Sequence, residues 1–200
     1  MMAMMPTDEL KGALTFLREA ERLKSVLRSG HTSTGRPEST AEHSWRLCLM
    51  AMVFSDAFGE IDVARLLKIC IVHDLGEALH GDVPAVAQPA AEDKAARERA
   101  DLETLTLSLD AKRRAEILSL WQDYEAGVSP EARLVKGLDK LETILQHNQG
   151  LNPSDFDYAF NLGYGVAHTA GHPLLAAIRA EVDRETGARM TSRPTTQTAL

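Results

Sequence analysis

Between Leu66 and Val72 the chain reads LLKICIV, apolar on nearly every side of a helix, and nowhere does it offer the sustained period-two alternation that strands require. A helix apolar all round belongs among other helices. The segment from Asp62 to about Leu79 therefore predicts the central helix of an all-α fold, a single compact helical bundle, and is too short to cross a bilayer. Elsewhere apolar residues recur at three and four. A first helix over about 8–27 carries Leu10, Leu14, Leu17 and Leu23, and the polar connector RSGHTSTGRP follows it. Ser39-Thr40-Ala41-Glu42 has the spacing of a capping box and opens a helix running through Leu47, Met50, Met52, Phe54 and Phe58 to Gly59. Gly81-Asp82-Val83-Pro84 breaks the pattern before a charged helix near Glu92; further helices are expected near 111–126, near 130–149 after Ser129-Pro130, and over much of 155–186. Residues 1–187 are expected to form one domain and 188–200, poor in apolar side chains, a disordered tail.

Composition narrows the function. Two hundred residues, 44% hydrophobic and 26% charged, suffice for one core without staples. The only cysteines, Cys48 and Cys70, lie in apolar helical patterns, which predicts free thiols and a cytoplasmic protein. The start, MMAMMPTDEL, lacks a basic region followed by an apolar stretch, so neither export nor membrane insertion is expected. A net charge of -7 without a Lys/Arg block argues against nucleic-acid binding and for a small ligand.

The apolar run ends abruptly in His73-Asp74, with Glu77 three residues later. On a continuous helix these three share one face around one turn. Burying them without partners costs several kcal/mol, and a bound cation is one economical solution. A helix-end histidine beside a solvated aspartate is the plainer alternative. Two other positions bear on the choice. His43 sits in the first turn of the capped helix, where it could simply hydrogen-bond the helix end. Asp139 lies near the apolar face of LVKGLDKLETIL, where it could pair with Lys136 or Lys140.

Taken together, His43, His73-Asp74 and Asp139 resemble the pattern of the HD-domain metal-dependent phosphohydrolases. The blocks LKSVLRSG, GRPESTAEHS, HDLGEALHGDVP and LVKGLDKLETILQ, spanning about residues 23–146, are similar to the small 5'-deoxynucleotidase group of that superfamily. The resemblance implies that His43, His73, Asp74 and Asp139 hold one divalent metal ion (Mn, Co, Fe, Zn, Ni or Mg), that Glu77 is the acid/base carboxylate, and that Arg28 orients the phosphate. It also implies substrate contacts at Asp82, Val83, Pro84 and Ala85, and a homodimer, which the apolar load outside the core also favours. Ser29 departs from the group: some bacterial members carry tryptophan there, so the resemblance implies neither the base-stacking contact nor any base preference for this chain. Dinuclear HD enzymes need further histidines between the HD pair and the last aspartate; here only His80 intervenes, so it is expected to border the pocket or solvent. His31 is expected in the exposed connector, and His147, His168 and His172 lie outside the matched blocks and receive no role.

The implied chemistry suits the residue types. A phosphate monoester dianion repels an incoming nucleophile, so hydrolysis needs charge neutralisation, a positioned water and a route for protons. The expected activity is metal-dependent hydrolysis of (deoxy)nucleoside 5'-monophosphates to nucleoside and phosphate. Two alternatives remain: an HD hydrolase of nucleoside triphosphates or nucleotide second messengers, and a helical module with a structural metal. A closed structural site needs neither a free carboxylate such as Glu77 nor an anion-binding arginine such as Arg28.

Overall fold

The computed structural model describes residues 5–81 and 94–191. Helix α1 (Thr7–Ala20) and a 3-10 turn (Glu21–Lys24) lead into two short strands, β1 (Leu27–His31) and β2 (Pro37–Ser39), paired antiparallel with Leu27 opposite Ser39 and His31 opposite Pro37. The hairpin stands where the sequence predicts only a polar connector. Its reversal is made by local bonds, Thr32 N–H to Arg36 O at 2.7 Å and Gly35 N–H to Thr32 O at 3.0 Å, with Gly35 at φ +86. That is glycine territory. Strands this short carry no readable alternation, which is why the sequence pattern passes over them.

Ser39 ends β2 and caps α2 (Thr40–Val53). Its Oγ accepts from the Glu42 N–H while Glu42 Oε2 accepts from the Ser39 N–H at 2.9 Å, the reciprocal box expected from the sequence. Helix α3 (Val63–Val72) starts at Asp62, whose side chain accepts from Arg65 N–H. It does not run on to Leu79. The chain leaves the helix after Val72, turns through 73–76, and resumes as α4 (Glu77–His80). Gly76 marks the turn: a Cβ there would sit 2.6 Å from the backbone oxygen of Glu98 on α5 (Lys94–Leu105), so the site-bearing turn lies hard against that helix.

Then come α6 (Ala111–Ala126) and α7 (Pro130–Gln149), close to expectation, α8 (Ala159–Gly163), α9 (Val166–Thr169) and α10 (Pro173–Thr191). Helix α10 continues through 188–191, the beginning of the anticipated tail. Arg189 holds it there, donating to the carbonyls of Asn148 at 2.6 Å and Gly150 at 3.1 Å, which are C-terminal oxygens of α7 needing donors.

The centre of the bundle is α7 rather than α3. It packs on α2, α3, α6, α9, α10 and β1, and fourteen of its residues are buried, Asp139 and Glu142 among them. Helix α3 buries Leu66, Ile69, Cys70 and Val72 but leaves Ile71 55% exposed. No helix among the described residues is long and apolar enough to cross a membrane.

Candidate metal centre and anion pocket

Three elements deliver candidate ligands to one point. The capping box sets α2 so that its first turn carries His43 inward; the end of α3 delivers His73; α7 carries Asp139. All three are buried, and one ligand atom from each lies within 4.8 Å of the other two. Asp74 borders this trio, with Oδ2 3.1 Å from His73 Nε2 and 3.7 Å from His43 Nε2. The break after Val72 means that this juxtaposition arises from a turn, not from a shared face of one helix.

The imidazoles are turned for ligation. His73 Nδ1 pairs with the Cys70 carbonyl at 2.8 Å, so that nitrogen carries the proton and Nε2 carries a lone pair. His43 Nδ1 pairs with Glu142 Oε2. Both Nε2 atoms are buried and make no hydrogen bond to the protein, although Asp139 Oδ1 lies 3.2 Å from that of His43. Two orphaned nitrogens facing a carboxylate fit a divalent cation, which would satisfy all three at once. The electrostatics point the same way. Burial opposes a charged His43 ring, as does Arg28, yet Glu142 and Asp139 outweigh both and raise its pKa to about 10. Burial likewise opposes the Asp139 carboxylate, but Lys140 and the imidazoles hold its pKa well below the usual range. The site has a strong appetite for positive charge.

A cavity of about 400 Å³ opens over this cluster, with Arg28, Asp74, Glu77, Lys140 and Tyr164 in its wall. Arg28 stands on β1, not at a helix end. It donates to Thr143 Oγ1 at 3.0 Å, lies 3.5 Å from Asp74 Oδ2 and 3.7 Å from Glu38 Oε2, and is mostly buried. Glu77 is buried outside the ligand trio: Oε2 accepts from Thr40 Oγ1 at 3.3 Å and Oε1 lies 3.4 Å from Lys94 Nζ, which also reaches Glu98 at 3.1 Å. Asp82, Val83, Pro84 and Ala85 lie outside the described residues.

Sequence reasoning missed several residues in and behind the cavity wall. Asp139 does pair with Lys140, at 2.8 Å, but its carboxylate is buried, and Tyr124 donates to the same oxygen at 2.8 Å. Glu142 and Thr143 follow Asp139 at three and four residues, a helical spacing that could have flagged them. Lys94, His147, Phe160 and Tyr164 come from elements whose docking no local pattern announces. His80 faces solvent, its side chain 66% exposed and bonded to Asp101. His31 is half-buried rather than exposed.

Comparison with known proteins agrees with the geometry. Residues 20–179 match the HD domain family. Mouse 5'-deoxynucleotidase HDDC2 is 31% identical over 192 residues, covering 94% of this chain and 96% of the relative. The human protein of the same name is 36% identical over 185 residues, 88% of this chain and 86% of the relative. Among solved structures, a predicted metal-dependent phosphohydrolase from Magnetospirillum magnetotacticum superposes with TM-score 0.77 at 28% identity, over 96% of this chain and all of its own.

Proposed function

The chain belongs to the HD domain family, and from that premise we propose that it hydrolyses deoxynucleoside 5'-monophosphates to nucleoside and phosphate with a divalent metal held by His43, His73, Asp74 and Asp139. The observation that carries this reading is the convergence of two partnerless imidazole nitrogens and a carboxylate beneath a cavity walled by Arg28. One ion is the count the ligand set supports, because the one histidine between the HD pair and Asp139 is His80, and it faces solvent.

When bound, the ion supplies positive charge that draws the phosphate dianion and an attacking water together. The chain's own groups do the rest. Arg28 presents its guanidinium fork to the phosphoryl oxygens, with Thr143 fixing the fork's direction. Glu77 takes the proton the water loses and passes it toward the leaving 5'-oxygen; Thr40 and Lys94 hold its carboxylate in place. Tyr124 and Lys140 occupy one oxygen of Asp139 and leave the other turned toward His43. Asp82, with Val83, Pro84 and Ala85 beside it, is assigned to the sugar, Asp82 accepting from the 3'-hydroxyl.

The test is release of free phosphate from dAMP, dCMP, AMP, dATP and a cyclic dinucleotide, with each metal in turn and after chelation. Phosphate from the deoxynucleotides, faster than from AMP, is expected. Pyrophosphate from dATP instead would overturn the monoesterase assignment, and unfolding on chelation would make the metal a structural clamp.

A homodimer and a cytoplasmic setting complete the reading. Cys48 and Cys70 are free thiols, as a reducing compartment would leave them. Trp45, Leu49, Met52 and Val53 are exposed along one face of α2, Trp45 by 66%, and form the candidate dimer face. Trp45→Glu is expected to halve the mass measured by light scattering; an unchanged mass would move the interface elsewhere.

A further inference from the structure

His43 and His73 both enter the metal centre through Nε2, but different groups hold them from behind. His73 donates its Nδ1–H to a backbone carbonyl. His43 faces a carboxylate, Oε2 of Glu142, a residue with no exposed surface. Arg46 grips that carboxylate from the other side, Nε donating to Oε1 at 2.6 Å and Nη2 to the Glu142 carbonyl at 3.4 Å. Each carboxylate oxygen is thereby committed. An ionised carboxylate only accepts hydrogen bonds, so the neutral imidazole that ligates a metal must offer Nδ1–H to it and keep its lone pair on Nε2, the nitrogen beside Asp139.

We propose that Glu142, anchored by Arg46, is a positioning residue that fixes the tautomer and orientation of His43 and so sets the affinity of the metal centre. The inference rests on His43 being a metal ligand. Glu38, His43 and Glu142 also approach closely enough to suggest a cation among themselves. The Arg46 guanidinium bonded to Glu142 already supplies positive charge there, and His43 Nδ1 is spent on a hydrogen bond. Outward support of a ligating imidazole by a carboxylate raises its basicity as well as fixing its direction.

Glu142→Gln tests the idea with almost no change in shape. Its amide can turn an N–H toward Nδ1, which favours the opposite tautomer with the proton on Nε2. Zn²⁺ titration calorimetry against a competing chelator should show affinity weakened by about 10- to 100-fold, with one ion still bound and the far-ultraviolet circular dichroism unchanged. His43→Ala, titrated in parallel, should lose more. A Zn²⁺ affinity for Glu142→Gln within about twofold of wild type overturns the proposal, since outer support of a ligand is worth at least about tenfold. Wild-type affinity in His43→Ala would instead remove His43 from the ligand set, a failure of the reading beneath it. Long-range proton–nitrogen-15 spectra of zinc-loaded wild type probe the same tautomer without requiring any variant to fold. The proton of His43 is expected on Nδ1 and the metal-shifted resonance on Nε2; a proton on Nε2, or a metal-shifted Nδ1, overturns the proposal.

Discussion

Helices α3 and α7 both end or pass at the candidate metal centre, and they reach it by opposite means. Helix α3 reads as the most apolar stretch of the chain, yet Ile71 on it is more than half exposed. Helix α7 is studded with charge and amide groups, yet it is the element the others surround, with Glu131, Asp139, Glu142, Gln146, His147 and Asn148 all buried. Apolarity marks a helix that can be buried cheaply. Enclosure of polar groups marks a helix whose buried partners are specified: Asp139 with Tyr124 and Lys140, Glu142 with His43 and Arg46, Asn148 with the Val182 carbonyl and Thr186. Such networks are tolerable only when their members are satisfied. Those of Asp139 and Glu142 meet at His43, which ties that part of its polarity to the site, whereas Asn148 fastens α7 to α10.

The comparison breaks most visibly at Asp139. Asp139→Ala should abolish metal retention and lower turnover by about 10⁴-fold or more, because ion-supplied stabilisation is worth several kcal/mol of barrier. Elemental analysis and phosphate release measure both, and a variant that retains ion and activity would demote α7 to scaffold. Next in size is Glu77, delivered by the turn after α3. Glu77→Gln should keep the ion and substrate affinity while kcat falls by about 10²- to 10⁴-fold, the usual worth of a general acid/base. Loss of the ion in that variant would make Glu77 a ligand.

The same contrast shows what the sequence could and could not convey. The capping box at Ser39 and Glu42, the starts of α6 and α7, and the gathering of His43, His73, Asp74 and Asp139 were legible, since each is a local pattern or a matched motif. The hairpin that carries Arg28 was not: its strands are short and held by turn bonds and by contacts with α7, such as Gln146 Nε2–H to the His31 carbonyl at 2.5 Å. Nor was the break at 73–76, because HDLGEAL continues a helical rhythm while the close approach of Gly76 to α5 is a tertiary fact. Centrality of α7 was hidden for the same reason. Its polar residues look solvated until their partners, distant in sequence, are in place.

Stability should follow enclosure rather than hydrophobicity. A Cβ at Gly137 on α7 would lie 2.5 Å from Leu175 Cδ1 and 2.8 Å from the His168 carbonyl oxygen. Gly137→Ala should therefore destabilise by about 1–3 kcal/mol through overpacking, despite alanine's better helix propensity. Ile71→Gln on α3 removes an apolar side chain but should change stability by less than about 0.5 kcal/mol, as exposed positions usually do. Urea denaturation of both variants sets them side by side. A larger loss at Ile71 than at Gly137 would reverse the ranking, or reveal that Ile71 is covered in an oligomer.

The smallest effect belongs to a charge pair that is neither enclosed nor apolar. Glu42 closes the α2 capping box and meets Arg36, with Oε1 2.5 Å from Nη2; the hydrogen bond from Arg36 lowers its pKa to about 2, against some opposition from burial. The folded state then binds fewer protons than the unfolded chain between about pH 4.5 and about 2, so this contribution is present above the upper value and is lost as pH falls through that window. Both side chains are substantially exposed, so solvent and salt screen the pair and its share of stability is modest. Thermal midpoints measured from pH 5 down to 2.5 should fall less steeply for Glu42→Gln than for wild type, and 0.5 M salt should narrow the difference. Equal slopes at low salt would show that the surface pair contributes nothing measurable. A slope difference that salt leaves untouched would place Glu42 with the enclosed polar groups of α7, and polarity at the start of α2 would then have to be read as that of a buried network.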